Sequence, residues 1–380
     1  MTTTYDAIVI GIGGMGSATL YHLAKRGLHV LGIEQFQIPH EMGSSHGLTR
    51  IIRLAYYEDP SYVPLLRRTY DLWKTLEDDS GETLFYQTGS IDMGAEDSDV
   101  FAGSLQSCIE HGLEYEVLNH KELHQRFPGY RVPSEIKAVF QPQGGLLVPE
   151  KCIEAHVKVA QQHGATLHTD ERVQGWDILA DGRVRVTTDK GIYHAEKLVI
   201  SGGAWASKLV PNLVGKLTME RQVLIWLETK KPDWFTLNRF PVWNGQFEEG
   251  RYYGFPEFNP SGDTPGMKFG RWHHRHEQVD PDTIDRNTYP EDEALLRQFG
   301  ERYFPDGSGQ TLNMKACMMT NTADEHWVLQ NLPDAPQVSV AAGFSGHGFK
   351  MASVIGEIMA DLAQNGTTQH NIGLHSLERL

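Results

Sequence analysis

The sequence has few cysteines, a deficit of positive charge and no long apolar run. Only three of its 380 residues are cysteines, at positions 108, 152 and 317, which are too scattered for a disulfide framework or a CxxC metal site. Lys and Arg number 34 against 49 Asp and Glu, a net charge of −15, which argues against a general nucleic-acid binder because such proteins need basic surface. The lack of an uninterrupted apolar stretch argues against a membrane-spanning helix. We therefore expect no nucleic-acid or membrane partner.

The composition and the N-terminal residues add two expectations. Hydrophobic residues make up 40% of the chain and charged residues 22%, which is typical of an ordinary globular protein. At about 150 residues per domain, this length predicts two domains. Residues 1–6 contain no basic segment followed by an apolar stretch, so we expect no signal peptide and a cytoplasmic location.

A βαβ unit opens the chain. The apolar run of residues 7–10 predicts a strand, residues 17–26 predict a helix, and residues 29–33 predict a second strand ending at Glu34. Between the first strand and the helix lies a GxGxxG motif of Gly11, Gly13 and Gly16. These glycines permit a tight turn, close approach of a pyrophosphate and close packing of helix on strand, while Glu34 would accept from a ribose hydroxyl. The motif predicts dinucleotide binding over an ordinary glycine turn, but it does not separate NAD from FAD.

Nucleotide-domain signals recur in the middle and at the end of the chain. Further helices are predicted over residues 62–76, 152–163 and 349–364, and further strands over residues 183–188, 197–200 and 338–342. Residues 216–316 are rich in aromatics, Pro and Gly, which predicts a sheet-rich second domain with long loops. We predict an α/β chain. Its Rossmann-like nucleotide domain would comprise residues 1–85, 147–215 and 317–380, and an inserted α+β domain with a mixed or antiparallel sheet would comprise residues 86–146 and 216–316.

Two segments carry cations that could serve a ligand. Arg50 and Arg53 are three residues apart, so on a helix they would share a face and could clamp a carboxylate; a solvated surface helix explains the spacing equally well. The loop of residues 343–350 places glycines, a histidine and Lys350 between a strand and a helix. Because a lysine at a helix start opposes the helix dipole, Lys350 favours a ligand-directed role over a mobile surface loop.

Three other features stay open on spacing alone. Cys317 is compatible with a small buried hydrophobe or with a thiolate attached to a cofactor. Lys268 would be solvated, as most lone lysines are. The run of histidines at 273, 274 and 276 lacks the helical i, i+4 pair with a supporting acid, so we predict no metal site.

Five motifs together resemble the monomeric sarcosine oxidase and N-methyl-L-tryptophan oxidase family of FAD-dependent amine oxidases, over nearly the whole chain. They are GIGGMG at 11–16, GSSHGLTRIIRLAY at 43–56, YYGFP at 252–256, CMMTNTADEH at 317–326 and GFSGHGFKMASVIGE at 343–357. The last two are the most specific. The resemblance implies a glutathione-reductase-like FAD domain.

The resemblance also implies roles for residues around a flavin. Cys317 matches the cysteine that family members bond covalently to the flavin, and Lys268 matches the lysine where oxygen is reduced. Arg53 and Lys350 match the pair that holds the substrate carboxylate. The remaining implied members of the site are Arg50 and His46 beside the flavin, Tyr253 near the substrate, and cofactor contacts from Gly11, Gly13, Gly16, Glu34, Ser44, Arg50, Val173, Gly343, Gly346, Gly348 and Lys350.

The chain departs from the family pattern near the pocket. The active-site histidine of the family falls at Trp272 or His273, and we assign His273 to the catalytic set. The loop between Tyr253 and Lys268 is longer than in sarcosine oxidase. These departures bear on the identity of the substrate and not on the class of reaction.

The resemblance implies an FAD-dependent oxidase of N-methyl amino acids. A hydride equivalent would leave the carbon next to nitrogen, and the products would be the amino acid, formaldehyde and hydrogen peroxide. The partners would be the amino-acid substrate and O2, and the protein would act as a monomer. The alternatives are a dehydrogenase with another electron acceptor, a non-catalytic flavin- or amino-acid-binding protein and a nicotinamide-dependent reductase.

Overall fold

Two eight-stranded sheets and one three-stranded sheet organise the chain. The structure is a computed structural model, and it describes residues 4–258, 260 and 266–380. Its helices are α1 (Gly14–Lys25), α2 (Val63–Ser80), α3 (Asp99–His111), α4 (His120–Arg126), α5 (Pro149–Gln162), α6 (Ala206–Leu209), α7 (Pro290–Tyr303) and α8 (Ala352–Asn365).

The strands fall in three groups along the chain. The first group is β1 (Thr4–Ile10), β2 (Val30–Ile33), β3 (Arg50–Ile52), β4 (Phe85–Gln87), β5 (Ser90–Gly94), β6 (Glu116–Asn119), β7 (Lys137–Gln141) and β8 (Gly145–Leu147). The second is β9 (Thr166–His168), β10 (Val173–Ile178), β11 (Val184–Thr188), β12 (Ile192–Ile200) and β13 (Thr218–Leu227). The third is β14 (Val242–Phe247), β15 (Gly250–Phe255), β16 (Met267–Arg271), β17 (Thr311–Asn321), β18 (Val328–Leu332) and β19 (Ala335–Ala342).

The first sheet is a parallel sheet with an antiparallel extension. Its order is β10-β11-β12-β1-β2-β9, with β19 also paired to β12 and β18 to β19. β1 pairs in parallel with both β2 and β12, and all four residues of β2 are buried. Strands buried on both faces explain the continuous apolar runs of the sequence. In such sheets ligands bind beyond the carboxyl ends of the strands, here the ends of β1 and β2.

Helices α1 and α8 pack against this sheet and against each other, and α5 packs against α1. The close approach of α1 and α8 depends on small residues. A Cβ built on Gly356 of α8 would lie 2.5 Å from the Cβ of Ala18 in α1. The shared core contains Leu20, Leu23 and Ile355, all with no exposed surface. None of the described helices is long and apolar enough to cross a membrane.

The second sheet has the order β17-β13-β16-β15-β14-β5-β7-β6. Its neighbours are antiparallel except β14 and β5, so it is the mixed sheet that the sequence predicts. Aromatic residues fill its core; Trp243, Phe269 and Phe299 are fully or almost fully buried. The concentration of aromatics in residues 216–316 thus corresponds to this core.

Four points of local structure correct or refine the sequence interpretation. Residues 50–52 form strand β3 and not a helix, because they pair antiparallel with β8. Helix α1 begins at Gly14 and not at residue 17, and residues 349–351 form a 3-10 turn before α8. β17 runs across the predicted boundary at residue 317, and the domain limits themselves stay predictions.

Candidate functional site

A cavity of about 510 Å³ extends from the carboxyl end of the first sheet to the second sheet. Thirteen of the predicted site residues line it: Gly11, Gly13, Glu34, Ser44, Arg50, Arg53, Val173, Tyr253, Cys317, Gly343, Gly346, Gly348 and Lys350. The predicted residues Gly16, His46, Lys268 and His273 do not line it.

Two glycines in the turn after β1 have different surroundings: one leaves room for a ligand, and the other is tightly packed. A Cβ on Gly16 would lie 1.8 Å from the carbonyl oxygen of Gly11, so this glycine serves the packing of α1 on β1. A Cβ on Gly13 would meet nothing closer than the Ser45 hydroxyl at 4.0 Å, on the side that faces the cavity. The amino end of α1 is thus open to an anion, where free N–H groups and the helix dipole favour a pyrophosphate.

Glu34 lies at the end of β2 and is 5% exposed. Its Oε2 accepts from the backbone N–H of Ile12 at 2.8 Å, and its Oε1 accepts from that of Phe36 at 3.2 Å. Burial raises the pKa of Glu34, although these backbone donors oppose the rise. Each carboxylate oxygen retains a second lone pair, which suits a ribose hydroxyl. Together with the open position at Gly13, the residues at this end fit the adenosine diphosphate moiety that FAD and NAD share.

Cys317 lines the opposite part of the cavity from strand β17. It is 6% exposed and lies opposite Gln222 of β13, in a cluster with Leu224 and Trp226. Burial raises the pKa of its thiol, and Arg50 is the largest influence in the other direction. Arg50 donates to the carbonyl oxygens of Thr49 at 2.8 Å and Ser44 at 2.6 Å. The pKa of the thiol is raised on balance, so the cations beside it only partly offset the effect of burial.

Arg53 is a buried cation with two acidic neighbours that sequence reasoning missed. Its Nη2 donates to Glu58 at 2.8 Å, and its Nε lies 3.3 Å from Asp92. Burial opposes the guanidinium charge, but Glu58 and Asp92 outweigh it and raise the pKa of Arg53. One cation cannot neutralise two carboxylates. The pKa of Glu58 is accordingly lowered, whereas burial raises that of Asp92 to about 6.

Lys350 brings a second buried cation to the same wall. Its Nζ donates to the carbonyl oxygen of His347 at 2.6 Å. Burial and the nearby Arg53 lower the pKa of Lys350 to about 7. Arg53 Nε has no hydrogen-bond partner among the described residues. The wall thus offers guanidinium and ammonium donors to an anionic group.

His347 was part of a sequence motif, but its role could not be read there. Its Nε2 lies 2.9 Å from the carbonyl oxygen of Glu325, so this nitrogen carries the proton. Its Nδ1 then accepts from the hydroxyl of Tyr56 at 2.5 Å. Burial lowers the pKa of His347 to about 4, so the ring is neutral and fixed in one tautomer.

Lys268 and His46 lie one layer behind the cavity wall. Lys268 Nζ is 2.6 and 2.9 Å from the carbonyl oxygens of Gly47 and Thr49, and 2.7 Å from the Thr49 hydroxyl. Burial and Arg50 lower its pKa well below the usual value. Lys268 Nζ donates to all three oxygens, so its hydrogen bonds lie within the protein. Burial likewise lowers the pKa of His46 to about 3, and neither of its ring nitrogens has a partner among the described residues.

The structure separates the two candidates for the pocket histidine. Trp272 lines the cavity, where its ring stacks on His347 at 27°. His273 points elsewhere, between Glu220 at 2.5 Å and Glu325 at 3.1 Å. These two carboxylates raise its pKa, with the Glu325 hydrogen bond as the largest cause. Its placement does not support the direct catalytic role that we assigned to His273, because no part of it faces the cavity. The predicted loop insertion between Tyr253 and Lys268 includes residues 259 and 261–265, which lie outside the described residues.

Comparisons with known proteins agree with this geometry. A family model described as "FAD dependent oxidoreductase" matches residues 6–362. The chain is 42% identical to a monomeric sarcosine oxidase of Bacillus sp. (strain NS-129), over 100% of this chain and 98% of that protein. It is 34% identical to an N-methyl-L-tryptophan oxidase of Yersinia pestis (strain Pestoides F), over 99% of each.

Solved structures share the fold over the full length. NikD, an unusual amino acid oxidase essential for nikkomycin biosynthesis, superposes with a TM-score of 0.85 at 25% identity, over 99% of this chain and 98% of its own. L-Proline dehydrogenase from P. horikoshii superposes with a TM-score of 0.83 at 24% identity, over 100% of this chain and 98% of its own. The second likeness concerns the fold alone.

Proposed function

Because the chain belongs to the FAD dependent oxidoreductase family, we propose that it oxidises secondary-amine amino acids, with N-methyl amino acids such as sarcosine or N-methyl-L-tryptophan as substrates. The observation that carries the proposal is the wall formed by Arg53 and Lys350, two buried cations lining one cavity. The relatives named for sarcosine and for N-methyl-L-tryptophan support the same substrate class. The products would be the amino acid, formaldehyde and hydrogen peroxide.

Arg53 and Lys350 would hold the substrate carboxylate and thereby direct the N-methyl group to the redox centre. The flavin, when bound, supplies the acceptor for a hydride equivalent and the path of electrons to O2. Tyr253 and Trp272, on β15 and just after β16, would form aromatic walls that exclude water from the substrate. The neutral substrate amine is the form that assists loss of hydride, so a basic solution favours the chemical step.

Lys268, together with Arg50 and His46, would serve the oxygen side of the reaction. A positive charge at Lys268 Nζ would stabilise the charge that develops when O2 is reduced. Burial lowers the pKa of this amine, and negative charge that accumulates beside it would raise the pKa again and favour the ammonium. This assignment rests on the position of Lys268 behind Arg50 and on the resemblance to the family.

Cys317 would hold the FAD covalently through its sulfur. Of the three cysteines, all buried, Cys317 alone lines the cavity as described, and it lies beside Arg50. Acid precipitation of the wild-type protein should leave the yellow colour in the pellet. Cys317→Ser should release it to the supernatant, whereas Cys108→Ser, the matched control, should retain it. Colour that washes off the wild-type pellet would disprove the link.

Anaerobic mixing with sarcosine tests the activity at its first step. Sarcosine should abolish the absorbance of the oxidised flavin, and readmitted air should restore it. Binding without this change would indicate a non-catalytic binding protein. Lys268→Met should slow the reoxidation by O2 far more than the reduction by sarcosine; equal effects on both would favour a dehydrogenase with another electron acceptor. We keep a cytoplasmic location and a monomeric state as predictions from the sequence.

A further inference from the structure

Two histidines and a glutamate meet at β13 and the turn after β16, and none of the three lines the cavity. Glu220 lies on β13, and His273 and His276 lie in the turn that follows β16. One ligand atom from each of the three residues falls within 4.8 Å of the others. Glu220 is 9% exposed whereas His276 is exposed, so an ion would have an entry path on the histidine side. From this arrangement we infer that Glu220, His273 and His276 bind a divalent metal ion of the zinc class.

The backbone of this turn is fixed against β13. Gln278 forms an isolated bridge with Glu220, and Arg221 N–H donates to the carbonyl oxygen of Glu277 at 2.9 Å. The imidazole rings of His273 and His276 are stacked, with centroids 5.5 Å apart and planes at 11°. Glu220 is therefore carried by paired backbone, and the turn that bears the two histidines is tied to β13 at its end, which restricts the motion of the donors before an ion binds.

The second nitrogen of His273 has the partner that metal-binding histidines usually have. His273 Nδ1 lies 2.5 Å from Glu220, while Nε2 lies 3.1 Å from Oε1 of Glu325. Glu325 is held in turn by Arg251 at 3.0 Å. A carboxylate on the far nitrogen orients the ring and makes the near nitrogen a better ligand. An ion would replace the proton between His273 Nδ1 and Glu220, so His273 would bind it as a neutral imidazole.

The donor set selects the class of ion. Two imidazoles and one carboxylate suit Zn²⁺, Co²⁺ or Ni²⁺, whereas Mg²⁺ prefers oxygen ligands. Three protein ligands leave a coordination position for water, as in open zinc sites.

The histidine spacing predicted no metal site here. The structure suggests otherwise because the two histidines meet in a turn and Glu220 comes from another strand. The inference does not depend on the proposed oxidase activity.

Calorimetric titration of the flavin-containing protein tests the inference, after dialysis against EDTA and then against chelator-free buffer. ZnCl2 should bind saturably to one site that is absent from His276→Gln. This variant should fold because His276 is exposed.

The control variant His163→Gln removes an exposed histidine elsewhere and should retain the site. Glu325→Gln should weaken binding about tenfold to a hundredfold, and MgCl2 should give no saturable binding. Absence of saturable Zn²⁺ binding by the wild type, or equal binding by His276→Gln, would overturn the inference.

Discussion

At the scale of single residues, buried charge defines the candidate site. Arg53 is 2% exposed and Lys350 5%, and burial of cations is costly unless anions or ligands compensate them. Glu58 and Asp92 compensate Arg53, whereas Lys350 donates only to a carbonyl oxygen among the described residues. Lys350 is therefore the cation whose charge depends most on a bound carboxylate.

This difference predicts a pH dependence for Lys350. Its pKa is lowered from 10.5 to about 7, so the free enzyme has the ammonium below pH 7 and loses it as the pH rises through that value. At pH 6, Lys350→Met should reduce kcat/KM for sarcosine about tenfold to a hundredfold, the value of one hydrogen bond to a charged group. The ratio of wild type to variant should fall as the pH rises past 7, because kcat/KM reports the free enzyme.

The exposed Lys74 provides the control for this measurement. Lys74→Met should give a ratio near one throughout, since the ion pair of this exposed lysine in the described part of the chain is with Asp78 on the same helix. A wild-type to Lys350→Met ratio that stays constant between about pH 6 and pH 9 would contradict the lowered pKa.

The sequence predicted the cations of the site better than their partners. Arg53 and Lys350 lie in recognisable motifs. Asp92 lies on β5, far from Arg53 in the sequence, and only the folding of the chain brings the two side chains together. Trp272 and His273 are adjacent in sequence and could be separated only by the direction of the chain after β16. Long-range pairing is not encoded in local spacing, so these partners required the structure.

At the scale of elements, the turn between β1 and α1 contains two glycines with different roles, one in ligand binding and one in packing. Gly13→Ala adds a methyl group in open space facing the cavity, whereas Gly16→Ala drives one against the Gly11 carbonyl. We expect Gly13→Ala to keep wild-type circular dichroism but to purify with less flavin per protein. Gly16→Ala should lower the melting temperature or the soluble yield.

The test compares the flavin content of Gly13→Ala with the stability of Gly16→Ala. Full flavin content in Gly13→Ala would show that the cofactor does not approach this position. A Gly16→Ala protein as stable as the wild type would show that α1 can shift to accommodate the methyl group.

A second prediction at this scale concerns the start of α7. Asp292 is fully buried, and it accepts from Arg221 at 2.9 Å and contacts His274 at 3.0 Å. Burial raises its pKa, but the Arg221 hydrogen bonds outweigh this and lower it to about 2. Its contribution to stability is therefore present above pH 4 and is lost as the pH falls towards 2.

Asp292→Asn should lower the free energy of unfolding by about 3 kcal/mol at neutral pH, because it leaves Arg221 buried without this counter-ion. Glu291→Gln, one residue earlier and exposed, should change it by less than about 0.5 kcal/mol. Denaturant unfolding measures both values. Equal small effects would indicate that Asp285, Asn287 and Glu277 satisfy Arg221 on their own.

Helices and strands were predicted well where residues close together in the sequence determine the local conformation. Strand β1, helix α1 and strand β2 follow from an apolar run, a glycine turn and a helical pattern, and they appear with ends shifted by a few residues. At residues 50–53, where a helix was only a condition for the two arginines to share a face, tertiary pairing decides the conformation. The spacing of Arg50 and Arg53 suits a helix, but pairing of β3 with β8 overrides it.

At the scale of the whole molecule, the acidic balance and the cationic site belong together. The chain has a net charge of −15, yet Arg50, Arg53 and Lys350 converge on one cavity with Lys268 behind them. The α/β class, the mixed second sheet and the nucleotide fold were predictable because each depends on repeated local patterns. The placement of the cavity between two sheets was not predicted, because it depends on how distant parts of the chain pack.

The most direct test of the proposed activity is a peroxide assay with sarcosine, N-methyl-L-tryptophan, other N-methyl amino acids, pipecolate and proline under air. The account predicts hydrogen peroxide from at least one N-methyl amino acid, with formaldehyde in equal amount. Absence of peroxide with every compound of this set would contradict the proposed activity.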